Sequence, residues 1–186
     1  MHHHYRWQSI DGSGLEHLDI RQGDDVIVAE GVVVGGDDED VPFGCSYRIC
    51  CDSGWRVRSV EVHVCGGASI VLTTDGDGSW RDGDGARLPR LDGCIDIDIS
   101  ATPFTNTLPI RRLGRQLDAR TELFMAWIRA PSLAVHRAPQ AYTRLAERRY
   151  RFEALDIGFE ATLDVDEDGL VRDYPALFRR VSPASG

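Results

Sequence analysis

Glycine preceded by aspartate or by a second glycine punctuates this chain at short intervals: Asp11-Gly12, Gly35-Gly36, Asp75-Gly76, Asp77-Gly78, Asp82-Gly83, Asp84-Gly85, Asp92-Gly93 and Asp168-Gly169. These dipeptides accept the positive φ of tight hairpin turns, and turns so closely spaced leave room mainly for strands between them. The intervening segments have period two. Asp25 to Val34 is rich in β-branched residues, Phe43 to Cys51 alternates, Val60, Val62 and Val64 share a face, and Ala68 to Thr74 is a further short apolar run. The pattern predicts a mainly β chain with a large antiparallel sheet.

One segment departs from that period. From Thr105 the chain reads Thr-Asn-Thr-Leu-Pro-Ile-Arg-Arg-Leu-Gly. Cap-type side chains come first, the proline suits only a first turn, Ile110 and Leu113 are apolar at helical spacing, and Gly114 is a stop. A single short helix over Asn106 to Leu113 follows. Glu122 to Ala130 is apolar on both parities and reads as a strand buried on both faces. Gln140 to Leu155, with its tyrosines, phenylalanine and arginines, reads as two strands. We expect one domain over residues 5 to 181, with Ser182 to Gly186 a frayed tail. His2, His3 and His4 are set aside from metal arguments as a tag remnant or disordered start.

Thirty acidic residues against twenty-one basic ones give a net charge of -9, the wrong sign for a protein that binds nucleic acid or anionic membrane surfaces. Every basic residue is arginine, so lysine chemistry is excluded, and bidentate arginine forks are available to buried carboxylates. No stretch approaches the ~18 consecutive apolar residues of a membrane span, and the expected location is the cytoplasm. The cysteines at 45, 50, 51, 65 and 94 are an odd set without a C-x-x-C pair and read as reduced, mostly buried thiols. No cofactor motif is present.

Three constellations could carry chemistry. Asp164, Asp166, Asp168 and Gly169 resemble half a calcium loop, but its twelfth position is Pro175, so an acidic hairpin turn and no metal are expected. Cys94 to Ser100 alternates strictly. Ile95, Ile97 and Ile99 share one face, and Asp96 and Asp98 the other, about 7 Å apart at strand rise. Arg111 and Arg112 follow closely and point roughly 100° apart on a helix, so only one need face the carboxylates. This group could be a buried ion-pair network, a ligand-recognition patch or an acid/base pair. Trp55, Arg56 and Arg58 form the third. Arg56 and Arg58 share the parity of Val60, Val62 and Val64 with Trp55 opposite, an arrangement able to grip a sugar or anionic head group, or simply to snorkel at a strand end.

Several strings together resemble a known family. Trp80-Arg-Asp-Gly-Asp-Gly, Leu91-Asp-Gly-Cys-Ile-Asp-Ile-Asp, Thr102-Pro-Phe-Thr-Asn-Thr-Leu-Pro-Ile-Arg-Arg-Leu113, Gln140-Ala-Tyr142 and Val165-Asp-Glu-Asp-Gly-Leu-Val-Arg-Asp-Tyr174 resemble the bacterial family described as "putative glycolipid-binding", from about Tyr5 to Val181. The resemblance implies a spiral β-roll, a curved many-stranded sheet wrapped around a single short helix, similar in shape to carriers of lipoproteins and lipids. The expected function is non-catalytic binding of an amphipathic ligand, a glycolipid, in the concave interior, with head contacts from the rim. Trp55, Arg56, Arg58, Asp96, Asp98, Arg111 and Arg112 are the candidate contacts. The alternatives are a carbohydrate- or lipid-modifying enzyme using Asp96 and Asp98, and a filled roll acting through protein partners.

Overall fold

The computed structural model describes residues 2–37 and 39–181, so the expected frayed tail lies outside the described residues. The strands are β1 (His2–Ser9), β2 (Leu15–Gln22), β3 (Val26–Gly36), β4 (Pro42–Asp52), β5 (Val57–Val64), β6 (Ser69–Thr74), β7 (Trp80–Asp82), β8 (Asp96–Ile99), β9 (Thr121–Arg129), β10 (Ala134–Ala146), β11 (Arg149–Ala154), β12 (Phe159–Val165), β13 (Val171–Tyr174) and β14 (Phe178–Arg180). The α-helix is α1 (Thr107–Leu113). His2 to His4 lie in β1 rather than in a disordered start, with His2 opposite Arg21 and His4 opposite Asp19, so in the folded chain the ground for setting them aside from metal binding falls away.

A repeated turn device explains the punctuation. In five hairpins the first aspartate (Asp37, Asp52, Asp75, Asp82 or Asp166) accepts through Oδ1 from the amides two and four residues on. The residue three positions on takes positive φ: Asp40, Trp55, Gly78, Gly85 and Gly169 respectively. The carboxylate that looked like a metal ligand is thus satisfied by its own turn. At one of these turns the left-handed position holds a tryptophan, which costs roughly 1–2 kcal/mol there. Trp55 is nonetheless buried, and the Arg111 guanidinium lies 5.0 Å from its ring centroid.

All fourteen strands form one sheet, ordered β7-β6-β5-β4-β3-β2-β1-β14-β13-β12-β11-β10-β9-β8. Neighbours are antiparallel, as the turn pattern predicts, except β8 and β9, which are parallel. A parallel pair needs a crossover, and the helical segment supplies it. That segment starts earlier than its apolar spacing suggests. Thr102 is the cap, its Oγ1 accepting from the Phe104 amide at 3.0 Å, and a 3-10 turn over Pro103–Asn106 leads into α1. Gly114, at φ 52°, ends α1 as expected. The sheet stays open, and the segment before β8 reaches the start of β7: the Gly93 amide donates to the Gly78 carbonyl at 2.9 Å and Trp80 Nε1 to the Cys94 carbonyl at 2.7 Å.

A bulge overturns one expectation of parity. Cys50 faces Ser59 while Cys51 faces Val57, so β5 carries an extra residue at Arg58. Val57 therefore points inward with Val60, Val62 and Val64, Trp55 is buried, and Arg58 points out. In β9 burial on both faces is confined to Met125, Ala126 and Ile128, within the stretch that pairs with β8. Phe124 is exposed beneath the Arg137 guanidinium. The interior divides at α1. Phe104 and Leu108 join Trp7, Ile49, Val60 and Trp80 on one side, while Ile110 joins Tyr142, Phe152 and Leu163 on the other. Each fully buried aliphatic or aromatic side chain here contributes about 1.5–3 kcal/mol.

Candidate ligand cavity

Alternation along β8 aims Asp96 and Asp98 at the helical segment, where each finds a different kind of partner. Arg112 Nε donates to Asp96 Oδ1 and Oδ2 at 3.0 and 3.2 Å, and its Nη2 sits 2.5 Å from Oδ2. Asp96 is wholly buried and the Arg112 side chain is only 12 % exposed, so this fork pins α1 to β8 away from solvent. Burial pushes the Asp96 carboxyl up, and Arg112 draws it back down. Asp98 has neutral partners. Thr105 Oγ1 donates to its Oδ1 at 2.9 Å and Gln140 Nε2 to its Oδ2 at 2.7 Å. Burial raises its carboxyl too, against the pull of these two donors. Beyond it, Tyr142 donates to Gln140 Oε1 at 3.3 Å and accepts from Asn106 Nδ2 at 2.8 Å. One polar chain thus runs from β8 through β10 to the start of α1.

That chain floors a cavity of about 620 Å³. Asp98, Asn106 and Gln140 lie at its base, and its walls are aromatic: Trp127 and His136 on one flank, Phe152, Phe159, Tyr174 and Phe178 on the other. The second group is a chain of rings with centroids 6.0 to 6.3 Å apart, among them Phe152 to Tyr174 at 6.0 Å and Tyr174 to Phe178 at 6.3 Å. Arg129, Asp156 and the exposed Ile157 also line it, among smaller residues such as Ser100, Ala138 and Leu177. Trp127, His136, Phe152, Phe159, Tyr174 and Phe178 come from strands far apart in sequence, so no local spacing flagged them. Gln140 was visible only within the Gln140-Ala-Tyr142 motif.

The seven sequence-predicted contacts are dispersed. Asp98 lines this cavity, and Asp96 with Arg112 lies beneath the helix. Arg111 reaches the other way, donating to the Asp168 carbonyl at 3.2 Å while its guanidinium covers Trp55. Arg56 joins two turns, donating to the Gly76 carbonyl and to Asp77 Oδ1, each at 2.9 Å. Arg58 does the same through Asp52 Oδ2 at 2.9 Å and the Asp75 carbonyl. The two strand-end arginines therefore tie the β4–β5 turn to the β6–β7 turn.

A second cavity of about 280 Å³ shares Ser100, Leu177 and Phe178 with the first. Glu16 of β2 lines it and is only 2 % exposed. Its Oε1 accepts from Tyr47 Oη and, at 2.7 Å, from Thr102 Oγ1, whereas Oε2 has no partner among the described residues. Burial pushes the carboxyl up from 4.5 to about 7 against these two donors. Between those values the unfolded chain is ionised and the folded one still holds its proton, so stability falls as pH rises through that window and is unaffected below it. By pH 8 the loss should reach roughly 3 kcal/mol at about 1.4 kcal/mol per unit. Glu16→Gln should abolish this component, as urea titrations of the two proteins at pH 5 and pH 8 would show; equal pH slopes would refute it.

The comparisons agree with the architecture. The chain matches the family described as "Putative glycolipid-binding" over residues 4–180. A crystal structure of a DUF1089 family protein from Pseudomonas aeruginosa is similar to it, at 44% identity and a TM-score of 0.82 over 91% of this chain and 92% of that one. No curated protein matches. No helix among the described residues is long and apolar enough to cross a membrane. With the match spanning nearly every strand, and a solved relative sharing the fold, the chain belongs to the "putative glycolipid-binding" family.

Proposed function

We propose that this protein binds a glycolipid or a similar amphipath in the 620 Å³ cavity without transforming it. The observation that carries the reading is a polar floor under aromatic walls. Asp98, Gln140 and Asn106 present acceptors and donors suited to sugar hydroxyls, and the Phe152–Phe178 group and Trp127 present apolar surface to sugar C–H faces and an alkyl chain. A volume of this order lies within the ~300–1,000 Å³ that holds a drug-sized ligand. The head group then sits at the floor rather than at the rim expected from sequence. Binding is favoured over acid/base catalysis because Asp96 is closed off by Arg112, which leaves Asp98 without the partner carboxylate of the catalytic reading. All five cysteines are free thiols, which supports a reducing compartment such as the cytoplasm.

Tryptophan fluorescence tests the reading. Trp7, Trp55 and Trp80 are buried, whereas Trp127 is half-exposed and lines the cavity. Dodecyl maltoside below its micellar concentration should produce a saturable fluorescence change, larger than that from a dodecyl chain bearing a polyglycol head. Trp127→Phe should remove most of the signal, and Phe159→Ala should weaken binding about tenfold, the ~1.4 kcal/mol expected for losing one aromatic wall. An unsaturable or absent response, or equal affinity for both head groups, would overturn glycolipid binding.

A further inference from the structure

The antiparallel pairing of β1 with β2 sets His4 opposite Asp19 and Arg6 opposite His17. Residues two apart on a strand share a face, as do residues directly opposite each other, so His2, His4, His17 and Asp19 all project on one side of this ribbon. Their side chains are 49, 58, 44 and 32 % exposed, respectively. Three ring nitrogens converge on a single carboxylate oxygen. Asp19 Oδ1 lies 3.9 Å from His2 Nε2 and 3.4 Å from His17 Nε2, and it is hydrogen-bonded to His4 Nδ1. The ligand atoms of His2, His4 and Asp19 all fall within 4.8 Å of one another.

From this geometry we infer that the outer face of β1–β2 is a binding site for a divalent transition-metal ion, zinc above all, held by His2, His4 and Asp19, with His17 beside the shared carboxylate oxygen. Zinc bonds of about 2.0–2.1 Å to imidazole and carboxylate place neighbouring ligand atoms of a tetrahedron roughly 3.3 Å apart. The His2 to Asp19 separation of 3.9 Å lies within a small side-chain adjustment of that length, and the direct His4 to Asp19 hydrogen bond would give way to coordination. A donor set of two imidazoles and one carboxylate, with water in the fourth position, selects zinc, nickel or copper and disfavours calcium and magnesium, which take oxygen ligands. The site uses neither cavity described above. It joins two neighbouring strands, so an occupied site holds β1 to β2 in register.

The side chain that does not take part makes the inference sharp. His3 points to the opposite face, where its ring stacks with Tyr5 at a centroid separation of 6.3 Å. A flexible run of histidines would bind metal through His3 as readily as through His4, and would have no use for Asp19. The folded ribbon predicts the reverse.

Isothermal titration of Zn²⁺ into the full chain, freed of any affinity tag, decides between them. The wild type should take up one equivalent with micromolar or tighter affinity, and its melting temperature should rise with zinc. His2→Ala, His4→Ala and Asp19→Asn should each weaken binding by at least about tenfold, the loss that even an outer-shell partner can cause. His3→Ala should bind as the wild type does. Circular dichroism of these exposed-site variants checks that each is folded. Absence of saturable zinc uptake by the wild type would overturn the inference. So would an Asp19→Asn variant that binds normally while His3→Ala and His4→Ala lose equally, the signature of an unstructured chelate.

Discussion

Arg112→Ala and Asp96→Asn are each expected to destabilise the protein by about 3–5 kcal/mol, the cost of stripping one partner from a buried ion pair. Neither group can turn to water, since Asp96 is wholly buried and Arg112 is 12 % exposed. Removal of the guanidinium leaves a carboxylate with no charge to compensate it, and removal of the charge leaves the fork facing a weaker acceptor. Against a typical total of about 5–15 kcal/mol this loss is large. Two controls separate the ion pair from a general intolerance of substitution. Arg111→Ala should cost less, because Arg111 is half-buried and its partners are the Asp168 carbonyl at 3.2 Å, a carboxylate oxygen at 3.8 Å and the Trp55 ring, with no buried charge left behind. The double variant Asp96→Leu/Arg112→Met should recover much of the deficit, because an apolar pair of similar volume needs no desolvation of charge. Urea melts superimposable on wild type for both single variants would refute the structural role of the pair.

Gly31→Ala should be comparably severe. A Cβ at that position would lie 2.6 Å from the Tyr47 hydroxyl oxygen and closer still to two carbons of the ring. Gly31 sits directly opposite Tyr47 across β3 and β4, so the ring crosses over the bare backbone to reach Glu16. Overpacking of this kind costs typically 1–3 kcal/mol, and the displaced hydroxyl gives up a hydrogen bond to a buried carboxyl worth a further ~1.5–3 kcal/mol. Tyr47→Phe loses only the second contribution. Thermal denaturation should therefore rank wild type above Tyr47→Phe and Tyr47→Phe above Gly31→Ala; a Gly31→Ala protein as stable as wild type would show that the ring has another place to go.

How far the sequence revealed this molecule depended on the range of the interaction. Alternation located β3, β4, β5 and β6, because the period of a strand is written in its own residues, and residue type located the hairpin of β10 with β11. Caps and a stop glycine located α1, although the cap that forms is Thr102, whose role needs the Phe104 amide and the Pro103 turn to be seen. Parity failed at Arg58, where a single extra residue in β5 reverses the facing of everything N-terminal to it, and nothing local announces a bulge. Asp98 could be singled out because it alternates with isoleucines on its own strand. The rings from Trp127 to Phe178 could not, since each is an ordinary inward residue until curvature of the sheet brings them round one space.

The strand order has a kinetic corollary. Every antiparallel neighbour but one is also a neighbour in sequence, and the exception is β1 with β14, where Trp7 faces Arg180 over a ladder of only three residue pairs. The chain is two local meanders sewn together at their first and last strands. Each half can zip hairpin by hairpin at small entropic cost, whereas the seam must close nearly the whole length of the chain before its few hydrogen bonds form. Its fastening is correspondingly side-chain heavy: Trp7 Nε1 donates to the Val171 carbonyl at 2.8 Å, and the Arg180 guanidinium lies 5.0 Å from the Tyr5 ring and 5.3 Å from that of Trp7. A protein built this way carries its slowest folding step in the middle of its sheet and its most local contacts at the edges, so damage at Trp7 or Arg180 would delay the joining of halves that are otherwise already formed.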